Sequence, residues 1–130
     1  MKLVKNKKIR IEEFRDNRGI LSVFSSKRNK FKIKRVYFIE NRNTKHVRGK
    51  HSRKYGAKFY FCLYGKVEIN LLSANFKQKI ILIKGQMVKI DSKIWIEVLL
   101  KTKNTKCVVF DNREYNEKEY IRNKPNYKII

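Results

Sequence analysis

The stretch Arg48-Gly-Lys-His-Ser-Arg-Lys54, continued by residues 55–65, decides how the chain is read. It sets His51 among the cations Arg48, Lys50, Arg53 and Lys54. Two apolar, aromatic-rich segments, 34–40 and 59–64, bracket it. An imidazole moves protons near neutral pH, and the cations beside it hold an anion. The rest of the chain reads as a β-scaffold that positions this segment.

Toward the N-terminus, residues 4–14 space apolar positions among charges, and Asp16-Asn-Arg-Gly19 is a turn. Asp and Asn bond their own backbone there, and Gly tolerates positive φ. Residues 20–24 alternate as a short strand, and 25–30 form a polar loop. Residues 31–39 alternate apolar and basic and then become continuously apolar, as in a strand passing from one-sided to two-sided burial. Toward the C-terminus, strands are expected at 58–64, 67–72, 76–83, 86–90, 94–100 and 107–110. Gly65-Lys66, 73–75, Lys84-Gly85 and 91–93 supply turns, and 101–106 is a polar loop. Residues 116–122 predict one or two helical turns, stopped before Pro125. Short strands at a spacing of roughly eight to twelve residues indicate an all-β sandwich, jelly roll or closed barrel. The 130 residues make one domain, 1–130, with room for a full core.

Hydrophobic residues make up 42% of the chain, which marks it as globular. No apolar run reaches the roughly 18 residues of a membrane span. Met1-Lys-Leu-Val-Lys-Asn-Lys-Lys8 lacks the apolar core of a secretory signal. Cys62 and Cys107 both fall in apolar strands and read as buried free thiols of a cytoplasmic protein. The net charge is +23, from 34 Lys+Arg against 11 Asp+Glu, which favours anionic partners. The basic residues are spread along the whole length and accompany many Asn and Ile, as a compositional bias does. Most are read as solvated surface. Phosphate binding is reserved for those near His51, and neither a nucleic acid polymer nor a membrane is the expected partner.

Small jelly rolls of the cupin kind commonly hold a metal on a His-x-His pair, a following Glu and a histidine from a second motif. On that pattern His51 occupies the first position and Gly65 the closing glycine, but Arg53 and Lys58 stand where ligands are needed. The second-motif histidine falls near Ile96. Charged Arg and Lys offer no lone pair, so no metal or other cofactor is expected. One imidazole beside fixed positive charge suits proton removal next to a carbonyl, where an enolate builds and donors stabilise its oxygen. Arg48, Arg53 and Lys54 suit a pyrophosphate. His46 reads as a loop residue.

Several residues, in order and spacing, resemble one family. They are Arg18-Gly19 after an acidic turn, Ile33-Lys-Arg-Val-Tyr37, Arg48-Gly-x-His51, Lys54, Gly65, Ile94-Trp95, and Tyr115 with Glu119-Tyr-Ile-Arg122. The set is similar to the nucleotide-sugar 3,4-ketoisomerases of the cupin superfamily, the WxcM-like group, over roughly residues 10–125. The resemblance implies an all-β cupin jelly-roll barrel, here with a short C-terminal helical segment, and a homodimer with exchanged N-terminal strands. It implies a metal-independent isomerase that turns dTDP-4-keto-6-deoxy-D-glucose into its 3-keto isomer. A proton leaves C3, an enediol forms, and a proton returns to C4. An aminotransferase would then act on the product, for surface glycans.

Carried over by position, His51 matches the family base, and Tyr37 matches a tyrosine lining the sugar pocket. Arg18, Arg35, Arg48, Arg53, Lys54 and Trp95 form the implied substrate-binding set. Arg18-Gly19 favours a galacto-configured product. Trp95 reads equally as a sugar-packing surface or a core tryptophan. Tyr120 and Arg122 are expected to order the C-terminal segment. The family often reads His-Ala-His-Lys where this chain has His51-Ser-Arg-Lys54, so Arg53 replaces a second histidine; Tyr37, Arg53 or a water must fill that role, and Arg53 suits stabilising the enediolate rather than carrying a proton. Three other readings stand beside this one: a non-catalytic cupin that binds a nucleotide sugar, a basic β-barrel that stacks nucleic acid bases on residues 59–61 and Tyr64, and, among enzymes, a different sugar reaction such as 3,5-epimerisation.

Overall fold

The computed structural model describes residues 6–127. The strands are β1 (Ile9–Arg10), β2 (Glu12–Asp16), β3 (Gly19–Val23), β4 (Arg35–Glu40), β5 (Val47–Arg53), β6 (Ala57–Tyr64), β7 (Lys66–Leu72), β8 (Lys77–Ile83), β9 (Gln86–Asp91), β10 (Trp95–Leu100), β11 (Lys106–Asp111) and β12 (Tyr120–Ile121). A single helical turn, α1 (Ser26–Asn29), precedes β4. The strands form two five-stranded sheets, ordered β1-β9-β6-β11-β4 and β12-β5-β10-β7-β8, and a separate β2-β3 hairpin. This is the jelly roll that the family resemblance implies, one of the three architectures the strand spacing allowed.

Alternation decides what each face holds. Along β7, Val67, Ile69 and Leu71 are buried, and along β10 so are Ile96, Val98 and Leu100. They meet Tyr60, Cys62, Val88, Ile90 and Val109 of the other sheet in one core. Each large aliphatic side chain so buried contributes about 1.5–3 kcal/mol. Cys62 and Cys107 face each other across β6 and β11 as buried free thiols. Among the described residues no helix is long and apolar enough to cross a membrane.

The first sheet is buried on its other face too. Phe59, Phe61, Met87 and Val108 pack there with Ile11 and Phe31, and Phe24 stacks on Phe110 at 4.3 Å. Phe59 and Phe61 are therefore interior and offer no stacking platform to nucleic acid. The polar segment 25–30 folds as α1 because it is capped at both ends. Ser25 Oγ accepts from Arg28 N at 3.1 Å, and Lys30 turns left-handed with φ 51°. That turn delivers Phe31 to the second core.

The C-terminal segment departs from the helical expectation. Only Glu117–Glu119 turn, as a 3-10 turn, with Asn116 Oδ1 accepting from Lys118 N at 3.1 Å. Tyr120 and Ile121 then extend along β5, with Tyr120 opposite Arg53. An open strand edge offering unpaired N–H and C=O groups satisfies this backbone better than a second isolated turn of helix.

Candidate active site

Facing residues of paired antiparallel strands share a face of the sheet. The registers align Arg35, Asp111 and Lys58 across β4, β11 and β6, and align Tyr37, Val109 and Tyr60 in the next inner row. Elsewhere these inner positions are apolar. At this end of the barrel they turn charged. The opposite sheet adds His51 and Arg53 from β5, and β12 adds Tyr120.

His51 reaches this position through a bulge. Ile96 and Val98 of β10 face His51 and Arg48, so three steps along β5 match two along β10. Gly49 at φ 82° and Lys50 at φ 52° absorb the extra residue. The Gly49 carbonyl then lies 3.0 Å from His51 Nδ1. A carbonyl only accepts, so Nδ1 carries the hydrogen and Nε2 keeps its lone pair. That atom lies 3.2 Å from Lys58 Nζ. A Cβ on Gly49 would sit 2.8 Å from the Ile96 carbonyl oxygen. Gly49→Ala is accordingly expected to destabilise the protein by about 1–3 kcal/mol in urea unfolding, because the bulge needs positive φ as well as the space.

Asp111 is fully buried and anchors the charged row. Arg53 donates to both its oxygens at 2.6 and 2.7 Å, Arg35 donates at 2.8 Å, and Arg113 N donates at 3.0 Å. Burial raises the Asp111 carboxyl, but the bonds from Arg53 and then Arg35 outweigh it and hold it below the usual range. Arg53 Nε also donates to the Tyr55 carbonyl at 2.9 Å. Arg35 donates to Tyr120 Oη at 3.1 Å and lies 5.0 Å over the Tyr37 ring. Its Nε is buried with no partner among the described residues. The Tyr120 ring meets His51 edge-on at 4.9 Å.

Lys58 is 3% exposed and pairs with no carboxylate among the described residues. Its Nζ lies 5.7 Å over the Tyr120 ring and 6.0 Å over that of Tyr60. Burial, and then the charge of Arg53, push it down to about 7, with Asp111 pulling the other way. His51 is pushed down to about 4 by burial and then by Lys58, and the Gly49 carbonyl offsets part of this. His51 is therefore a neutral base at pH 7. Burial raises the Tyr37 hydroxyl, which stays protonated as a donor. The groups around His51 are cations and phenols, and this donor set does not fit a divalent metal.

The structure brings His51, Tyr37, Arg35 and Arg53 together. Arg53, however, commits its guanidinium fork to Asp111, so it holds the row rather than facing an open space as an enediolate stabiliser would. Arg48 is exposed and lines a separate groove of about 410 Å³ with Arg42, His46 and Leu100. Lys54 is exposed just beyond β5, its backbone N–H bonded to the Glu119 carbonyl at 2.9 Å. Arg18 lies at the tip of the β2-β3 hairpin, ion-paired with Asp16 at 2.5 Å. Trp95 is not part of the cluster. It lines a groove with Lys124, Pro125 and Tyr127, and its Nε1 donates to Glu97 at 2.8 Å. The neighbouring Ile96 takes the core side of β10, so Trp95 faces the other way.

The sequence reading missed Lys58 and Asp111 as site residues and gave Tyr120 only an ordering role. One signal was present: Lys58 opens an apolar strand and Asp111 closes another, and a charge at an inward position of a buried strand is expensive unless it is used.

The family described as FdtA: WxcM-like, C-terminal, matches residues 4–130. TDP-4-oxo-6-deoxy-alpha-D-glucose-3,4-oxoisomerase of Aneurinibacillus thermoaerophilus is 29% identical over 127 residues, covering 96% of this chain and 91% of that protein. QdtA, a sugar 3,4-ketoisomerase of Thermoanaerobacterium thermosaccharolyticum solved with TDP, superposes with a TM-score of 0.86 at 30% identity, over 94% of this chain and 90% of that one. WlaRA, a TDP-fucose-3,4-ketoisomerase of Campylobacter jejuni, gives 0.84 at 30% identity, over 92% and 90%. With that match spanning nearly the whole sequence, and the same fold placing a neutral histidine among donors at the barrel end, the chain belongs to the FdtA, WxcM-like C-terminal family.

Proposed function

We propose that the protein is a TDP-sugar 3,4-ketoisomerase acting on TDP-4-keto-6-deoxy-D-glucose. The carrying observation is the His51 imidazole, its tautomer fixed by the Gly49 carbonyl, held neutral by burial and the charge of Lys58, and set among Tyr37, Arg35 and Lys58. His51 Nε2 takes the proton from C3, an enediol forms, and a proton returns to C4. Tyr37 and the unpartnered Arg35 Nε donate to sugar oxygens as charge builds there. Arg48 and Lys54, exposed cations on and just beyond β5, hold the diphosphate. Trp95 takes no part. A galacto-configured product is assigned on Arg18.

The reaction belongs in the cytoplasm, upstream of an aminotransferase that loads the new ketone for surface glycans. The active form is a homodimer exchanging N-terminal strands. This reading is supported by apolar side chains left in solvent on β2-β3 and on β4, the edge strand of its sheet. Phe38 is 70% exposed, and Phe14, Leu21 and Val36 are exposed beside it in sequence or on the hairpin. Light scattering is expected to give a dimer for the wild type and a monomer for Phe38→Glu.

The enzymatic reading is tested by incubating the protein with TDP-4-keto-6-deoxyglucose in D2O and following the sugar by NMR, alone and with a 3-aminotransferase. Deuterium at C4 of a 3-keto product is expected. Binding without any carbon exchange would leave a non-catalytic sugar-nucleotide binder instead.

A further inference from the structure

Isomerisation of a 4-ketose to a 3-ketose moves two protons. One passes from C3 to C4, and the other passes from the oxygen on C3 to the oxygen on C4. His51 accounts for the carbon proton. The candidates for the oxygen proton are few. Arg53 never releases a proton in a protein and is committed to Asp111. Tyr37 holds its proton tightly because it is buried. Tyr120 meets His51 with the edge of its ring, and its Oη is turned to Arg35. That leaves the Lys58 amine, 3.2 Å from His51 Nε2 and without a carboxylate partner among the described residues.

We propose that Lys58 is the second proton-transfer group, carrying the proton that passes between the two sugar oxygens while His51 carries the one that passes between the two carbons. The proposal rests on the ketoisomerase reading above. In the first half, His51 Nε2 takes the C3 proton, the C–H electron pair becomes the C3–C4 double bond, and the carbonyl oxygen on C4 takes a proton from the Lys58 ammonium. In the second half, the hydroxyl on C3 returns a proton to the Lys58 amine. Its electrons form the C3 carbonyl, and C4 takes the proton held by His51. Both side chains end as they began. C3 is bonded to C4, which bears the other oxygen, so two nitrogens 3.2 Å apart address both positions.

The surroundings of Lys58 explain why it works where a surface lysine does not. His51 and Arg53 face it from β5, Tyr60 from its own strand, Asp111 from β11, Arg35 and Tyr37 from β4, Asp91 from the end of β9, and Tyr120 and Arg122 from the C-terminal segment. Cations outnumber carboxylates, and Asp111 has both oxygens occupied. The ammonium is thus held near its point of release, at about 7. Reaction needs His51 neutral and Lys58 protonated. The rate rises as His51 deprotonates through about 4 and falls as Lys58 deprotonates through about 7.

The test is the pH profile of kcat/KM for wild type, Lys58→Met and Lys58→Arg, with TDP binding and thermal melts as controls. Lys58→Met is expected to lose roughly 10²–10³-fold in kcat, to lose the alkaline limb, and to shift the acid limb upward because a charge opposing His51⁺ is gone. Lys58→Arg is expected to lose the alkaline limb while its acid limb stays low. A purely structural lysine would change melting but leave the limb near neutrality, and that limb surviving in Lys58→Met would overturn the proposal. If Lys58→Met does not fold, Lys58→Arg and the wild-type profile decide. A product adduct on Lys58 trapped by borohydride would also overturn it, since the lysine would then act as a nucleophile. A wild type that shows no carbon exchange removes the ketoisomerase reading itself, a result distinct from an active wild type with an indifferent Lys58.

Discussion

His51→Asn is expected to lower turnover by roughly 10²–10⁴-fold, the scale of a positioned general base. The side-chain amide of Asn is smaller than the imidazole but keeps a donor at the Nδ1 position for the Gly49 carbonyl, so the bulge at Gly49 and Lys50 has no reason to change. What disappears is the lone pair of Nε2. The affinity for TDP, read by calorimetry, should therefore stay near wild type while kcat falls. Deuterium should no longer enter the sugar carbons from D2O. A variant keeping more than about a tenth of wild-type turnover would remove His51 from the role of base.

Asp111→Asn is the second large expectation, this time in stability. The carboxylate is fully buried and takes three guanidinium bonds. Without its charge, the buried Arg53 and the half-buried Arg35 are left uncompensated beside Lys58. Removing one partner of such a group costs about 3–5 kcal/mol, because the remaining charge stays uncompensated. Urea unfolding should report the loss. Lys58 should respond as well, since Asp111 raises its pKa: the alkaline limb of activity should move below the wild-type value of about 7. The wild type should show the matching acid dependence. Asp111 has a depressed pKa in the fold, so its stabilisation is present above the unfolded value of about 3.9 and is lost as pH falls through the folded value. Asp111→Asn should flatten that part of the stability profile. A variant as stable as wild type would show that the arginines find other partners.

The charged row also explains the departure at Arg53. A histidine at that position cannot engage both oxygens of Asp111 as a guanidinium fork does. In this chain the fork serves the scaffold. On the proposal made above, Lys58, placed where the cupin pattern puts a carboxylate ligand, supplies the second titratable group instead.

Much of the fold was legible because the β period and the turn residues are local properties. The alternation in 67–72 and 94–100, with Gly65 and Gly85 between strands, marks the inner and outer faces without reference to any partner strand. α1 was hidden because four capped residues carry no periodicity, and β12 was hidden because 116–122 suit a short helix when isolated. His51 and Tyr37 were readable from their residue types and setting. Lys58, Asp111 and Tyr120 were not, because their use depends on neighbours from other strands.

The sequence by itself determined the class of fold, the strands between residues 58 and 110 and the family resemblance, and it singled out His51, although β5, the strand that carries His51, was not read as a strand. These follow from short-range pattern and residue chemistry. Only the tertiary structure decided which cations are spent and which are free. Cross-strand register put Arg35, Asp111 and Lys58 in one row, while the bulge at Lys50 turned His51 toward it. Strand alternation also sent Trp95 to the opposite face. Register and burial arise from contacts between distant segments, and they set the dielectric and the partners on which a proton transfer depends.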